Sequence, residues 1–440
     1  MQTADRSFLF SDEGIRTIET DSRKEMRDGL FVPVIGERND GHDFIGMAVQ
    51  NGARAVLTSR PAAPLREAYP DVRFYEVQDT VMALQEIGLM ERRKFHGPVI
   101  GVTGSVGKTT TRNMIACALG AGRQVFQTAG NQNSQIGVPI TMFHMARSGM
   151  DAAVIELGMS EPGEMTRIAS VACVDAAVIT NIGIAHIENL GSQENILREK
   201  LHILDGMRDG GTLLLNGDDP ILGSLTEDRI HSFGIACGKE IRLAFYRSTD
   251  YDLELQVPGR HMQENACAAM HAAELFSVDP ASAREALRSF TGLRGRGEQF
   301  RTKGGVTVID DSYNASPVSM KAGIEVLSAA SGGRRIAVLG DMLELGEKAA
   351  EYHYEVGQFL SAHPAELVFL YGKLAEEIGR GLRDGSVETV PEVRFFSDLQ
   401  SLREAVLSEL REGDTVLFKG SNSMRLSEIV KQLRDEVQDH

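Results

Sequence analysis

The amino-acid sequence predicts an α/β protein of about three domains, and three observations lead to this prediction. The chain has 440 residues, and at roughly 150 residues per domain this length corresponds to about three domains. Short apolar runs alternate with helical patterns, which is typical of helices layered on mostly parallel sheets. Many runs carry Gly, Asp, Asn or Ser near their carboxyl ends, where open α/β sheets gather ligands. The runs span 99–104, 152–158, 176–183, 307–313, 335–342, 367–372 and 415–421.

Composition and charge exclude several other classes of protein. Hydrophobic residues make up 42% and charged residues 25% of the chain, which excludes disordered and low-complexity chains. The net charge is −16, so neither nucleic acid nor an anionic membrane is an expected partner. Four cysteines without a C-x-x-C pair argue against a disulfide scaffold or structural zinc. Because no signal peptide or membrane span is recognisable, we expect a cytoplasmic protein.

Two segments are candidate domain boundaries. The basic segment ERRKFHGP (91–98) ends in Pro just before an apolar run, and GLRGRGEQFRTKGG (292–305) is rich in Gly and Arg with little apolar content. Such polar, Gly- or Pro-rich stretches are typical of linkers. They divide the chain into an N-terminal domain at 1–95, a central domain at 96–297 and a C-terminal domain at 298–440.

The strongest motif is a Gly-rich segment between a buried strand and a helix, GVTGSVGKTTT (101–111). Glycines allow backbone N–H groups to surround a phosphate, and the following helix N-terminus adds partial positive charge. Lys108 would reach the β- and γ-phosphates and the Thr109 hydroxyl would bind Mg²⁺. A structural Gly-rich turn is the alternative. The spacing is G-x-x-G-x-x-G-K-T, with Val102 at the first Gly position of the common phosphate-loop pattern. We predict that this loop binds ATP through Gly104, Ser105, Gly107, Lys108, Thr109 and Thr110.

A series of longer motifs resembles the Mur ligase family. The motifs occur in the order found in that family and span all three proposed domains; they are GVTGSVGKTTT, GNQNSQIGVP (130–139), VIELGMSEPGE (154–164), ITNIGIAHIENLGS (179–192), GRHMQENA (259–266), DDSYNASPVSM (310–320), AVLGDMLELGE (337–347) and FKGSNSMR (418–425). The resemblance implies a small N-terminal α/β domain, a central phosphate-loop domain with a parallel sheet, and a C-terminal Rossmann-like domain.

The resemblance also implies an activity. Family members convert a carboxylate into an acyl phosphate with ATP, and an amine then displaces the phosphate to form an amide. DDSYNASP followed by LGDMLELGE resembles the type that joins D-alanyl-D-alanine to UDP-N-acetylmuramoyl-tripeptide in peptidoglycan synthesis. The implied partners are therefore these small-molecule substrates, and we expect a monomer. A family ligase with another acyl and amine pair, or a nucleotide-binding protein without ligase activity, are the competing hypotheses.

Four residues are expected at the catalytic centre together with two Mg²⁺ ions. Glu156 ends an apolar run, and a carboxylate there suits a hard cation; a structural acid is the alternative. For His186 and Lys200 the residues alone indicate a structural histidine and a solvated helix charge. The resemblance instead implies a second Mg²⁺ ligand at His186 and a lysine carbamylated by CO₂ at Lys200. Lys108 completes the expected catalytic set.

Three further residues are expected to bind ATP. Asn265 matches the family position that contacts adenine, although an Asn there could also cap a helix. Arg296, in the second boundary segment, could neutralise γ-phosphate charge when domains close, or it could be a solvated linker charge. Asp310 follows a C-terminal strand.

The remaining candidates are substrate ligands. In the N-terminal domain the motifs resemble a UDP-sugar site, although Asp21 and Asp40 equally suit a polar turn; the candidates are Ser22, Arg23, Asn39, Asp40, Gly41 and His42. Asn131 and Asn133 are expected to face the muramoyl-peptide carboxylate, with turn formation as the alternative. The C-terminal motifs place Tyr313, Asn314 and Lys419 near the incoming dipeptide.

Overall fold

A computed structural model describes residues 14–235, 238–363, 365–385 and 391–438. These residues form three separate sheets of four, six and six strands, each flanked by helices. No helix among the described residues is long and apolar enough to cross a membrane. Cys117, Cys173 and Cys267 are free thiols, whereas Cys237 and residues 1–13 lie outside the described ranges.

The first sheet is small and entirely parallel, with its strands in sequence order. Its strands are β1 (Thr17–Glu19), β2 (Gly29–Phe31), β3 (Ala53–Thr58) and β4 (Arg73–Glu76). Its helices are α1 (Ile45–Gln50), α2 (Ala63–Ala68) and α3 (Thr80–Arg92). Helix α3 begins where the Asp79 carboxylate accepts the N–H groups of Val81 and Met82 at 2.7 and 2.8 Å, which satisfies two donors that the helix leaves free.

The second sheet is also parallel, in the order β10-β9-β8-β5-β7-β6. Its strands are β5 (Val99–Thr103), β6 (Val125–Gln127), β7 (Ala152–Glu156), β8 (Ala176–Ile179), β9 (Gly211–Asn216) and β10 (Ile241–Tyr246). The helices are α4 (Lys108–Leu119), α5 (Gly137–Ala146), α6 (Glu164–Ala172), α7 (Ile187–Leu190), α8 (Gln193–Leu201), α9 (Ile203–Gly206), α10 (Glu227–Ser232), α11 (Arg260–Leu275) and α12 (Pro280–Arg288). Strand β5 lies between β7 and β8, so three successive parallel strands end side by side at the phosphate loop.

The third sheet has the order β11-β12-β16-β13-β14-β15, and only the edge strand β11 is antiparallel to its neighbour. Its strands are β11 (Glu298–Arg301), β12 (Thr307–Asp311), β13 (Arg335–Gly340), β14 (Leu367–Tyr371), β15 (Glu392–Phe396) and β16 (Thr415–Lys419). The helices are α13 (Pro317–Ser328), α14 (Ala349–Ser361), α15 (Ala375–Asp384), α16 (Leu399–Glu409) and α17 (Ser427–Gln438). Because β16 lies between β12 and β13, the last motif of the chain meets the two C-terminal motifs that precede it.

The α/β architecture in three domains is confirmed, and all seven apolar runs contain strands: β5, β7, β8, β12, β13, β14 and β16. Helix α4 turns an apolar face inward, since Met114, Ile115 and Leu119 are fully buried. Within the second boundary segment, residues 298–301 form β11, the first strand of the third sheet. Alternate residues of that edge strand are exposed, which explains its low apolar content.

Candidate active site

The phosphate loop is shaped by two left-handed glycines and by the end of β8. Gly104 and Gly107 have φ of 148° and 85°, which other residues rarely adopt. A Cβ on Gly104 would lie 1.9 Å from the Thr180 hydroxyl oxygen. Asn181 holds the far side of the loop: its side-chain oxygen accepts the Val106 N–H at 2.9 Å, and its backbone oxygen accepts the Ser105 N–H at 3.1 Å. The loop is therefore fixed by the neighbouring strand before any ligand binds.

Lys108 begins α4 and points back into the loop. Its ammonium donates to the carbonyl oxygens of Gly104 at 2.8 Å and Ser105 at 3.2 Å. Burial lowers the pKa of Lys108, Glu156 opposes that shift, and the positive charge of Arg296 adds to it. The charges near Lys108 thus include the Glu156 carboxylate at the end of β7 and Arg296 from the second boundary segment.

Glu156 is the hub of the polar contacts beside the loop. One carboxylate oxygen accepts the Thr109 hydroxyl at 2.8 Å, and the other accepts the Asn133 amide at 2.8 Å. The side chain is nearly enclosed, with 3% of the residue exposed. A threonine hydroxyl beside a carboxylate is an oxygen donor set that suits Mg²⁺, so the residues present fit the implied ion. Asn133 contacts this carboxylate and is more than a turn former.

Arg112 is a member of this cluster that the sequence analysis missed. Its guanidinium lies 3.8 Å from Glu156 and donates to the Thr128 carbonyl at 2.5 Å. Only 6% of the residue is exposed. Burial lowers the pKa of Arg112, while Glu156 raises it. A signal was available, because Arg112 follows Lys108 by four residues and such residues share a helix face.

Lys200 is buried, with 2% of the residue exposed, so its interpretation as a solvated helix charge was wrong. Burial lowers the pKa of Lys200 well below its usual range, and the charge of Lys108 adds to the shift. The adjacent Glu199 carboxylate accepts the N–H groups of Gly163 and Met165 at 2.9 Å. The environment therefore favours a neutral amine at Lys200.

His186 lies at the boundary with the third sheet. Its Nδ1 atom is 3.1 Å from a carboxylate oxygen of Glu344, and both residues have positive φ, 62° and 61°. Strained backbone of this kind clusters at functional sites. Burial and the charge of Lys108 lower the pKa of His186, and Glu344 opposes the shift. A cavity of 340 Å³ opens here, lined by Ser160, His186, Glu188, Asn189 and Glu344. Among the described residues, no group of three or more His, Cys, Asp and Glu side chains could hold a metal ion by itself.

Asn265 lies inside α11 and not at its start, so the helix-cap alternative was wrong. Its side-chain oxygen accepts the Thr111 hydroxyl at 2.9 Å, and a Cβ on Gly107 would lie 3.3 Å from it. Its neighbour in the candidate set, Thr110, is buried in the first turn of α4. Asn265 is thereby placed behind the phosphate loop, on a helix that packs against α4.

Arg296 and two substrate candidates form one contact across the boundary between the second and third sheets. The Arg296 guanidinium lies 4.0 Å from the Tyr313 ring centroid. The Tyr313 hydroxyl accepts a hydrogen bond from the Asn131 amide. The structure therefore brings these three residues together, and the solvated-linker alternative for Arg296 was wrong.

The other C-terminal candidates have partners within their own sheet. Lys419 stands opposite Asp311 in the strand register and bonds to its carboxylate. It also donates to the Asn314 carbonyl at 3.2 Å, and 1% of the residue is exposed. Asp310 accepts the Ser312 hydroxyl at 2.6 Å and the Gly295 N–H at 3.0 Å, and burial raises the pKa of Asp310. Asn314 is exposed.

The N-terminal candidates lie apart from the phosphate loop and form two local turns. The Arg23 guanidinium makes two 2.8 Å bonds to the Asp21 carboxylate, and the Arg23 hydrogen bonds lower the pKa of Asp21 to about 2. Beside it, the Ser22 hydroxyl contacts the Met47 sulfur at 3.5 Å. These contacts agree with the polar-turn alternative, although the exposed Arg23 remains available to a ligand.

The second turn is centred on the His42 ring, which is enclosed. Its Nδ1 lies 2.6 Å from Asp40, and its Nε2 accepts the Ser59 N–H at 3.0 Å. Gly41 is required here, since a Cβ would lie 2.6 Å from the Val34 nitrogen. The Asn39 carbonyl accepts the Gly36 N–H at 2.9 Å. The His42 ring therefore holds the loop in place through Asp40 and Ser59.

Fold and site together define a three-domain α/β protein of the phosphate-loop class. Three family models match successive parts of the chain: "Mur ligase family, catalytic domain" at residues 14–92, "Mur ligase middle domain" at 102–273 and "Mur ligase, glutamate ligase domain" at 295–422. A curated relative from Bacillus subtilis is 36% identical over 95% of this chain and 93% of its own length. The chain belongs to the Mur ligase family.

Other relatives agree over nearly the whole length. The Bacillus subtilis protein and one from Synechocystis, 34% identical over 97% of this chain and 94% of its own, are both named UDP-N-acetylmuramoyl-tripeptide–D-alanyl-D-alanine ligase. The crystal structure of MurF from Acinetobacter baumannii has a TM-score of 0.82 at 25% identity, covering 96% of this chain and 94% of that chain. MurF ligase from Thermotoga maritima in complex with ADP has a TM-score of 0.79 at 27% identity, covering 97% and 99%.

Proposed function

We propose that this chain is an ATP-dependent, ADP-forming ligase that joins D-alanyl-D-alanine to UDP-N-acetylmuramoyl-tripeptide in peptidoglycan synthesis. The observation that carries the proposal is the Thr109–Glu156 contact beside the phosphate loop, in a chain that matches ligases of this name across all three domains. The proposed dipeptide specificity rests on those relatives. The proposed nucleotide chemistry is supported by the relatives and also by the contacts at the phosphate loop.

The reaction proceeds in two transfers. A carboxylate oxygen of the tripeptide attacks the γ-phosphorus, and the bond between the γ-phosphorus and the β-phosphate oxygen breaks. This step forms an acyl phosphate on the tripeptide and releases ADP. The dipeptide amine then attacks the acyl carbon, loses a proton, and the tetrahedral intermediate expels phosphate to give the amide. Catalysis of such steps is mainly positioning and neutralisation of charge. In the proposal, the loop N–H groups, Lys108 and Arg296 hold the phosphates.

We assign two sets of residues to the Mg²⁺ ions that the family implies. Thr109 and Glu156 would hold one ion and His186 and Lys200 the other. Bound Mg²⁺ would neutralise phosphate oxygens and leave them open to attack. Arg112 and Asn133 hold the Glu156 carboxylate in place for this role.

We further propose that Lys200 is carbamylated. A neutral amine can attack the carbon of CO₂ and lose a proton, which leaves an anionic carbamate in place of an ammonium. Burial of Lys200 and its depressed pKa support this reaction, because an ammonium has no lone pair for the attack. The carbamate would also place a negative charge near Lys108.

The three sheets suggest a division of labour between the domains. We assign the UDP-sugar to residues 1–95 through Ser22, Arg23, Asn39, Asp40, Gly41 and His42. Residues 96–297 would bind ATP and, through Asn131 and Asn133, the peptide carboxylate. Residues 298–440 would bind the dipeptide near Tyr313, Asn314 and Lys419 and reach ATP through Asp310. We also propose that the protein is a monomer and acts in the cytoplasm.

Phosphate release tests the ligase proposal. Protein, ATP, Mg²⁺ and UDP-N-acetylmuramoyl-tripeptide should release phosphate only after D-alanyl-D-alanine is added, and Lys108→Met should abolish the release. Release with a different dipeptide would change the substrate assignment. If ATP binds without any turnover, the ligase proposal fails.

Carbamylation is tested by ¹³C NMR in ¹³C-bicarbonate. The wild type should show a carbamate signal that Lys200→Ala lacks, and the exposed Lys303→Ala should serve as the matched control that keeps it. Lys200→Ala should also lose activity that bicarbonate does not restore. Wild-type turnover in Lys200→Ala would eliminate the proposed role.

A further inference from the structure

Arg296 carries a positive charge without a carboxylate partner among the described residues. Its guanidinium forms no ion pair with a carboxylate in the described ranges, unlike Arg112 and Arg434. A Cβ on the adjacent Gly297 would lie 3.1 Å from Met262 of α11, the helix whose Asn265 bonds to Thr111 behind the phosphate loop. The charge of Arg296 also lowers the pKa of both Lys108 and Arg112. A third cation near two others is unfavourable by itself, so some other contact must hold the arginine there.

The Tyr313 ring supplies that contact. The Arg296 guanidinium lies 4.0 Å from its centroid, within the range of a cation–π interaction. The backbone fixes the same arrangement, because the Tyr313 N–H donates to the Gly295 carbonyl at 3.0 Å. A Cβ on Gly295 would lie 3.1 Å from the Tyr313 Cβ. The ring and the guanidinium therefore hold their relative positions.

The Tyr313 hydroxyl makes a second, separate contact. It accepts the amide of Asn131, which belongs to the loop after β6 in the central domain. The same loop carries Asn133, whose amide holds Glu156 at 2.8 Å. One tyrosine of the C-terminal domain thus contacts both Arg296 and the loop whose Asn133 bonds to the Glu156 carboxylate.

We propose that Tyr313 is a positioning residue whose ring holds Arg296 toward the γ-phosphate, while its hydroxyl docks the C-terminal domain on the Asn131 loop. The inference rests on the proposed function, since it assumes ATP in the phosphate loop. It adds the contact between Tyr313 and Asn131 to the substrate contacts proposed for these residues above. The ring alone holds Arg296, so the contact with the γ-phosphate should persist when only the hydroxyl is removed.

The affinities for ADP and AMP-PNP test whether the Tyr313 ring, and not its hydroxyl, holds Arg296 toward the γ-phosphate. In Mg²⁺ buffer, calorimetry of ADP and of AMP-PNP, which retains a γ-phosphate, gives a preference ratio for each variant. Tyr313→Leu should reduce the AMP-PNP preference by about threefold to tenfold, the range expected for a cation–π contact. Tyr313→Phe keeps the ring and should keep the preference. Arg296→Met should lose it, and the double variant Tyr313→Leu/Arg296→Met should lose no more than Arg296→Met does.

The fold offers a matched control in Tyr354, which also stacks on an arginine, Arg380 at 4.9 Å, and bonds to Asp384 at 3.0 Å. Tyr354→Leu removes a comparable pair within α14 and α15 and should leave the preference unchanged. An unchanged preference in Tyr313→Leu, or an additive loss in the double variant, would overturn the inference. If Tyr313→Leu does not fold, a loss of preference in Tyr313→Phe overturns it instead. No acceptor or dipeptide is present, so absence of ligase activity would leave this result intact.

Discussion

The two junctions between domains are built in opposite ways. Between the first and second domains, Gly88 of α3 lies so close to α5 that a Cβ would meet the Pro139 Cα at 2.6 Å. Ile140 and Phe143 of α5 belong to the hydrophobic core of the first domain. Arg92 is 1% exposed and donates to the carbonyls of Ala172 and Cys173 at 2.8 Å. The first two domains therefore share a core.

The junction between the second and third domains rests on a few separate contacts. They include the Asn131–Tyr313 hydrogen bond, the His186–Glu344 pair and the packing of Ile184 against the C-terminal core. Glu344 is largely exposed, so this pair is weak. The first junction therefore fixes the separation of its two domains through a shared core, whereas the second joins its domains through separate polar and apolar contacts. Four substitutions test this difference and the packing around the site.

The largest effect should come from Arg92→Met at the shared core. The change leaves the carbonyls of Phe95, Ala172 and Cys173 without the arginine donor, so the free energy of unfolding should fall by about 3 kcal/mol. Asp175 keeps the Val99 N–H and Arg208 as partners. Urea unfolding followed by circular dichroism measures it. Arg54→Met removes an exposed arginine paired with Asp28 and should change little. Equal losses in both variants would contradict a locked junction.

Gly88→Ala tests the close approach of α3 and α5. Replacing a helical glycine with alanine normally stabilises a helix by about 1 kcal/mol. Here the Cβ would overlap backbone atoms of Pro139, and such overpacking should reverse the sign, to a loss of about 2 kcal/mol. Thermal unfolding provides the measurement. Gly122→Ala, whose Cβ would lie 3.6 Å from Val278, is the control, and higher stability in Gly88→Ala would refute the prediction.

Lys200→Met tests how the buried lysine of α8 affects the pH dependence of the free energy of unfolding. Burial lowers the pKa of Lys200 in the folded state from 10.5, so below that value the unfolded chain binds the additional proton. Wild-type stability should therefore rise as the pH approaches 10.5 and fall as the pH decreases, by at most about 1.4 kcal/mol per unit. Lys200→Met should flatten this slope in CO₂-free urea titrations. Lys303→Met should retain the slope, and an unchanged slope in Lys200→Met would contradict the prediction.

The smallest effect on stability should come from Glu344→Ala. Loss of an exposed ion pair should change the free energy of unfolding by less than about 0.5 kcal/mol. Small-angle scattering should nevertheless show a larger radius of gyration, because the third domain loses one of its contacts. Glu347→Ala, in the same loop and exposed, is the control. Unchanged scattering in Glu344→Ala would show that this pair does not influence docking.

The sequence predicted features that depend on local order. The phosphate loop follows a strand and precedes a helix, and Glu156 ends the neighbouring strand, so topology alone places them together. Lys200 was harder to interpret, because its burial depends on α6 packing over α8, and its charged neighbours suggested a solvated face. Only the resemblance indicated a special role for it.

Contacts between domains could not be predicted from the sequence. Asn131 and Tyr313 are 182 positions apart, and each belongs to a motif that suggested a substrate ligand. Asp341 is an example within one domain, because it also belongs to a C-terminal motif but has a structural partner. Its carboxylate accepts the Ala375 N–H at 2.7 Å and holds the start of α15. Polar residues in a motif can serve the protein itself, and only the three-dimensional arrangement separates the two uses.

The shared core between the first two domains has a consequence for substrate length. Under the proposed assignment, an acyl substrate is held by its nucleotide on the first domain and presents its carboxylate at the phosphate loop. Gly88, Pro139 and Arg92 keep these two places at a constant separation. This separation would then set the length of the peptide stem: a stem one residue shorter would end before the loop, and a longer one would have to fold back. The amine substrate, which the proposal assigns to the third domain, would be under no such constraint.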